Sequence, residues 1–196
     1  MIETLFSHRQ PHLHTAHALW YSLLQSGDTA IDATCGNGHD TLILAQILLA
    51  PTKGQLLALD IQPEAIAHTK ERLSQQLPKE IFTRIQFYQQ SHTTFPIMEQ
   101  ESVKLIVYNL GYLPGGDKSF TTVANTTIES LCQATSLLAK GGLITVTCYP
   151  GHPAGSLEEQ ALLAWVTSLP REKWSIHHQR WLHRPHSPTL LSLFHT

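Results

Sequence analysis

Apolar runs of two lengths alternate along this chain. Short runs at 29–33, 55–60, 84–88, 103–108 and 143–148 have the composition of buried strands. Longer stretches with helical spacing flank them, at 16–24, 40–49, 63–76, 121–139 and 156–168. Local signals mark several ends. Pro63 suits the first turn of a helix, and Gly141-Gly142 suits the stop of the helix begun at Thr121. Ser156 reads as an N-cap, with Glu158 and Glu159 in the turn that follows. The tail breaks the alternation: 174–181 and 189–195 both read as strands, joined by a loop containing Pro185 and Pro188.

Strands alternating with helices predict an α/β fold, a parallel sheet covered on both faces. The two closing strands predict an antiparallel hairpin at one edge. The expectation is therefore a Rossmann-like, seven-stranded, mostly parallel sheet, with 1–196 forming one domain. Ligands of such sheets bind beyond the carboxyl ends of the strands, where the winding reverses. Three unusual segments sit at predicted strand ends: residues 32–40, Asp60-Ile61-Gln62 and residues 109–118.

The first of these reads Asp32-Ala33-Thr34-Cys35-Gly36-Asn37-Gly38-His39-Asp40-Thr41. Glycines between a strand and a helix let a ligand lie against bare backbone at a helix N-terminus. Yet acids flank them, and no Lys or Arg stands in the loop. A pyrophosphate would be repelled there, whereas an ammonium and a sulfonium would be attracted. Thr41 also replaces the last glycine of the dinucleotide pattern. The loop therefore points to S-adenosylmethionine rather than NAD. Asp32 either orients Asn37 or accepts from the methionine amino group. Asp60 follows the glycines at about the 20-residue distance of an acid that accepts from both ribose hydroxyls; the same residue also suits capping of the helix at Pro63.

The third segment, Asn109-Leu110-Gly111-Tyr112-Leu113-Pro114-Gly115-Gly116-Asp117-Lys118, places an asparagine at a strand end ahead of an irregular loop and an aromatic. It is similar to the Asn-Pro-Pro-Tyr motif of amino-group methyltransferases, with Leu-Gly in place of Pro-Pro. An Asn side-chain oxygen and the next carbonyl, that of Leu110, accept the N–H bonds of an amine. This aims its lone pair and favours positive charge on nitrogen. Tyr112 either stacks on a base or shields the sulfonium. Elsewhere, Tyr149 and His152 end the fifth strand in a segment that reads equally as a plain turn. His92, after the third strand, reads either as a surface histidine or as a neighbour of adenine, and His17 either as an ordinary helix residue or as a cover over the methionine end.

Composition narrows the classes. The formal net charge is −2 and 14% of residues are charged, so any RNA site must be a local patch. The tail, with Arg171, Lys173, Arg180 and Arg184 among Trp174, Trp181 and several histidines, reads either as such a patch or as a solvated edge hairpin, the reading composition alone favours. Three scattered cysteines suggest neither zinc nor disulfides, and reduced thiols point to a cytoplasmic protein. The thirteen histidines show no ligand spacing, so no metal is expected. No run is long enough for a signal peptide or a membrane span.

Together, residues 32–41, 60–62, 109–118 and Tyr149-Pro150-Gly151-His152 resemble the MnmM/YtqB family. The resemblance implies a class I methyltransferase with S-adenosylmethionine as cofactor. The substrate it implies is the tRNA wobble uridine carrying a 5-aminomethyl group, with or without 2-thiolation; the product is the 5-methylaminomethyl nucleoside. It implies cofactor contacts from Asp32, Thr34, Gly36, Asn37, Gly38, Asp40, Thr41, Asp60, Ile61, Gln62, His92 and Asn109. Asn109, Leu110 and Tyr112 would hold the nucleophile. Asp117 and Lys118 would either pair to fix the loop or touch the anticodon backbone. Asp117, water, or desolvation of the amine would account for loss of its proton. Rival readings are methylation of rRNA or of a small molecule, and cofactor binding without turnover. The sequence leaves the oligomeric state open, a homodimer included.

Overall fold

The computed structural model describes residues 11–49, 54–113, 115 and 121–196. Along the chain run α1 (Pro11–Leu23), β1 (Thr29–Asp32), α2 (His39–Leu48), β2 (Gln55–Asp60), α3 (Pro63–Gln76) and α4 (Lys79–Phe82). Then follow β3 (Ile85–Gln89), β4 (Val103–Asn109), α5 (Ala124–Leu137), β5 (Leu138–Cys148), α6 (Pro153–Val166), β6 (Trp174–Gln179) and β7 (Thr189–His195). The strands form one sheet in the order β3-β2-β1-β4-β5-β7-β6. β1 pairs in parallel with β2, Asp32 opposite Ala58, and on its other side with β4, Asp32 opposite Val107. The winding reverses between β1 and β4, which opens the crevice expected from the sequence. β7 enters antiparallel between β5 and β6 and closes the edge hairpin.

Period-two alternation divides the core between two faces. Ile31, Leu57, Leu59, Ile106, Tyr108, Ile144 and Val146 pack with α5 and α6. Ala30, Leu56, Leu105, Val107 and Leu143 pack with α1 and α2. Helix α1 is fixed to the sheet by the wholly buried Trp20, whose indole N–H donates to Thr145 Oγ1 at 3.1 Å. A buried indole needs such a partner, and this one sets the rotation of α1 over the site.

Several boundaries differ from the sequence reading. The helix expected over 121–139 spans Ala124–Leu137, because Thr121 bridges to Tyr112 and the Thr122 N–H donates to the Gly111 carbonyl. At its other end the chain passes straight into β5 at Leu138. Gly141 and Gly142 lie inside that strand, not at a helix stop. They form an irregularity in which Leu138 to Leu143 oppose only Val103 to Leu105. Gly141 has φ +67°, and a β-carbon at Gly142 would meet the Ala139 carbonyl oxygen at 2.7 Å, so glycine is required. Helix α6 begins at Pro153 rather than Ser156, capped by His152 Nδ1, which accepts from the Gly155 N–H at 3.1 Å. The four-residue α4 carries no periodic signal and was not expected.

Candidate active site

At the carboxyl end of β1 the chain turns through Gly36 (φ +50°) and Gly38 (φ +77°) into α2. A β-carbon at Gly38 would lie 2.9 Å from the Thr69 Cα, so the turn is pressed against α3. The Cys35 N–H donates to the Leu59 carbonyl and the Ala33 N–H to the Val107 carbonyl, holding the loop to both neighbouring strand ends. Arg72 Nε donates to the Asn37 carbonyl at 2.6 Å. The loop therefore presents its backbone at the crevice on a rigid base.

Asp60, at the end of β2, faces this loop. Its Oδ2 accepts from the Gly36 N–H and its Oδ1 from the Gln62 N–H, each at 3.0 Å. Burial pushes its carboxyl pKa up, against the relief from those N–H groups. Each oxygen keeps capacity for a further donor, which suits a vicinal diol. Ile61 is exposed beside it, and Gln62 precedes α3. His92 is half-buried, 6.0 Å edge-on to the Tyr108 ring, and burial lowers its pKa.

Asp32 sits differently from the sequence reading. It is wholly buried, with Oδ2 accepting from the Thr41 hydroxyl at 2.6 Å and Oδ1 from the Thr34 N–H at 3.3 Å. So buried, it does not lie open to an amino group. Thr41 is equally buried and holds Asp32. The Thr34 hydroxyl accepts from the Asn109 N–H at 2.7 Å. These three residues shape the loop from behind, because short side chains under a tight turn are the nearest partners for its buried polar groups.

Burial pushes the Asp32 carboxyl from 3.8 to about 7, opposed by the Thr41 hydroxyl and reinforced by Asp40. A raised pKa in the fold contributes stability while the group is protonated. That contribution is complete below 3.8 and lost as pH rises towards 7. Asp32→Asn cannot ionise, so its stability should fall less than that of the unmutated chain as pH rises from 4 to 7. Urea midpoints across that window test this; parallel curves would refute it.

Asp40 likewise turns inward. Its Oδ1 lies 2.7 Å from His17 Nε2, and its Oδ2 accepts from Asn109 Nδ2 at 2.6 Å. A carboxylate only accepts, so the amide nitrogen of Asn109 must face Asp40. Asn109 Oδ1 is thereby turned away from Asp40 as an acceptor. Three elements meet in this chain: α1 gives His17, α2 gives Asp40 and β4 gives Asn109.

The loop after Asn109 is fixed from below. The Leu110 N–H donates to the Thr147 carbonyl, and its side chain is buried. The Gly111 N–H donates to Thr122 Oγ1 at 2.7 Å, and that hydroxyl donates to Glu158 Oε2 at 2.9 Å. Glu158 is buried and also accepts from Thr127 at 2.6 Å. The sequence reading missed it as a support of this loop. Its place on one helical stripe with Leu162 and Val166 was the available signal, since a carboxylate on a buried face needs donors. Tyr112 is partly exposed, 6.3 Å from the His152 ring. Tyr149 stands edge-on to His12 at 6.1 Å. Burial lowers His12 to about 4, so it is neutral at pH 7, and the sequence reading had passed it over. Asp117 and Lys118 lie outside the described residues. Among the described residues, no cluster of His, Cys, Asp or Glu is placed to hold a metal, and no helix is long and apolar enough to cross a membrane.

A crevice at this switch point, with Asp60 at its edge and the Asn109 loop beside it, on a sheet ending in β5-β7-β6, has the class I architecture of S-adenosylmethionine-dependent methyltransferases. A family model described as "Putative rRNA methylase" matches residues 56–195, and the chain belongs to that family. The chloroplastic tRNA (mnm(5)s(2)U34)-methyltransferase of Arabidopsis thaliana is 36% identical over 191 residues, covering 95% of this chain and 70% of that protein. A "putative rRNA-methylase" structure from Clostridium thermocellum superposes with a TM-score of 0.86 at 31% identity, covering 94% of this chain and 97% of the other. A "putative methyltransferase" from Streptococcus mutans, solved in complex with SAH, gives 0.81 at 25% identity, covering 94% and 98%. The chain is thus an S-adenosylmethionine-dependent methyltransferase.

Proposed function

We propose that this chain methylates the exocyclic amine of 5-aminomethyluridine, with or without 2-thiolation, at the wobble position of the tRNA anticodon. The observation that carries the reading is the Asn109 amide, held by Asp40 with its oxygen presented as an acceptor. The Arabidopsis relative, named for the same nucleoside, supports it. Such an enzyme works where its tRNA is, and we place it in the cytoplasm.

The residues present fit the cofactor. Gly36 and Gly38 offer bare backbone, Asp60 offers acceptor capacity for the ribose, and Ile61, Gln62 and His92 border the place for adenine. S-adenosylmethionine, when bound, supplies an electrophilic methyl group on a positively charged sulfur. Asn109 Oδ1 and the Leu110 carbonyl accept the two N–H bonds of the neutral amine and direct its lone pair to the methyl carbon. Asp40, behind Asn109, places negative charge near the nitrogen as it becomes an ammonium. Tyr112 covers the entrance beside His152.

Asp60→Asn keeps one acceptor oxygen and loses the charge, so cofactor affinity should fall about tenfold by calorimetry. Unchanged affinity would remove the ribose assignment. For the reaction, purified protein is supplied with S-adenosylmethionine and tRNA bearing 5-aminomethyl-2-thiouridine, followed by nucleoside mass spectrometry. The expected result is one methyl gained on that nucleoside and none on tRNA lacking the aminomethyl group. Methylation of rRNA, with such tRNA left untouched, would overturn the reading.

A further inference from the structure

Resting on that reading, we infer that the loop 180–187, between β6 and β7, is the surface that grips the RNA strand flanking the methylated nucleoside, with Trp181 and Arg184 as a stacking platform. Sheet register places the loop. Asn109 on β4 is opposite Thr147 on β5, Thr147 is opposite Leu190 on β7, and Leu190 is opposite Gln179 on β6. Three strand spacings, about 14–15 Å, therefore separate Asn109 from Gln179, after which the loop begins. Because β7 runs antiparallel, the β6–β7 turn falls on the same side of the sheet as the carboxyl ends of β1, β2 and β4.

The loop is also joined to the crevice wall. A β-carbon at Gly151 would lie 3.1 Å from the His186 carbonyl oxygen, so the backbones of the two turns touch. Next to Gly151, His152 stands by Tyr112, which follows Asn109 on the same loop. A continuous surface thus runs from the reacting amine to Arg184. The loop holds its own shape through the Arg184 N–H on the Trp181 carbonyl and the Ser187 N–H on the Arg184 carbonyl.

Its chemistry is that of a nucleic-acid contact. The chain as a whole has two more acids than Lys and Arg, yet residues 173–196 contain no Asp or Glu. They contain Lys173, Arg180, Arg184 and five of the thirteen histidines. Glu159 of α6 faces this region: it accepts from Thr189, lies 3.4 Å from His178 and is near enough to Arg180 to interact with its charge. Trp181 is 39% exposed, with the Arg184 guanidinium 5.6 Å from its ring centroid. An exposed aromatic backed by a guanidinium offers a planar, cationic face to a base. A tRNA nucleoside enters the site with its neighbours attached, and their phosphates need positive charge beside it. Arg180 and Arg184 supply that, and Trp181 takes an adjacent unstacked base.

The test compares Trp181→Ala and the double variant Arg180→Gln/Arg184→Gln with the unmutated protein. Both changes are on exposed side chains, so melting temperature and S-adenosylmethionine affinity should be unchanged. Trp181→Ala should weaken tRNA binding about 5- to 100-fold. The double variant should flatten the slope of log affinity against log salt by about 1–2. Normal tRNA binding by both variants, with the unmutated protein methylating aminomethyl-tRNA, would overturn this surface alone. Failure of the unmutated protein to bind or methylate that tRNA would overturn the functional reading and this surface together. A dimer that dissociates in Trp181→Ala, with tRNA affinity kept, would assign the surface to a second copy of the chain instead.

Discussion

Asn109→Ala should bind S-adenosylmethionine almost normally and transfer methyl about 10²- to 10³-fold more slowly. The magnitude follows from what is removed. In the proposed geometry Asn109 Oδ1 accepts an amine N–H bond that becomes more acidic as nitrogen gains charge, so the contact strengthens towards the transition state. Deleting one preorganised group of that kind costs about 3–4 kcal/mol in barrier, as the loss of an oxyanion-hole donor does with the opposite polarity. Cofactor affinity changes little, because Asp60 and the glycine backbone lie on the β1–β2 side. The alternative is that Asn109 only joins two loops. Its side chain does donate to Asp40 and its backbone N–H to Thr34. Under that alternative the variant loses melting temperature while each folded molecule turns over normally. Single-turnover rates on folded protein distinguish the two. A rate near that of the unmutated enzyme would remove the amine-aiming role.

The sheet was legible because its physics is local. Strands such as Gln55–Asp60 are apolar on both sides, and Pro63 fixes where α3 begins, so those bounds agree with the sequence. The errors fall where a distant partner overrides a local signal. Thr121 and Thr122 have helical neighbours downstream, but their backbones serve the Tyr112 and Gly111 loop. Gly141-Gly142 has the form of a helix stop. Lys104 of the neighbouring strand lies so close that the pair becomes a strand irregularity instead. His152 outcompetes Ser156 as a cap because Pro153 already has the φ of a first helical residue.

The site was legible as a set of places and less so as a set of roles. The described residues of all three suspicious segments do lie at one end of the sheet. Which acids turn outward was not readable, because Asp32, Asp40 and Asp60 are alike in sequence. Burial separates them: Asp32 is sealed beneath Thr41, Asp40 is closed between His17 and Asn109, and Asp60 keeps acceptor capacity at the crevice. The support from α1 was the hardest to foresee. His17 reaches Asp40 only because Trp20, one helical turn on, is anchored to Thr145 in β5.

That anchoring leads to the expectation for Asp40. Replacing it by Ala should leave two donors facing an apolar gap, Asn109 Nδ2 and the ring nitrogen of His17. An unsatisfied buried polar group is costly, so the Asn109 amide should rotate in search of a partner and withdraw its oxygen from the amine. The charge that favours the forming ammonium also disappears. Loss of a hydrogen bond to a charged group is worth about 1.5–3 kcal/mol, so turnover should fall about 10²-fold, with KM for tRNA changed much less. Asp40→Asn divides the two contributions. Its side-chain oxygen can still accept from Asn109 Nδ2, and its amide can donate to a His17 nitrogen in the other tautomer, so geometry survives without charge. If position is what Asp40 provides, the Asn variant should recover most of the activity lost in the Ala variant. If charge dominates, both should be slow. Two variants with full turnover on folded protein would show that the His17–Asp40–Asn109 chain holds the loop together and takes no part in methyl transfer.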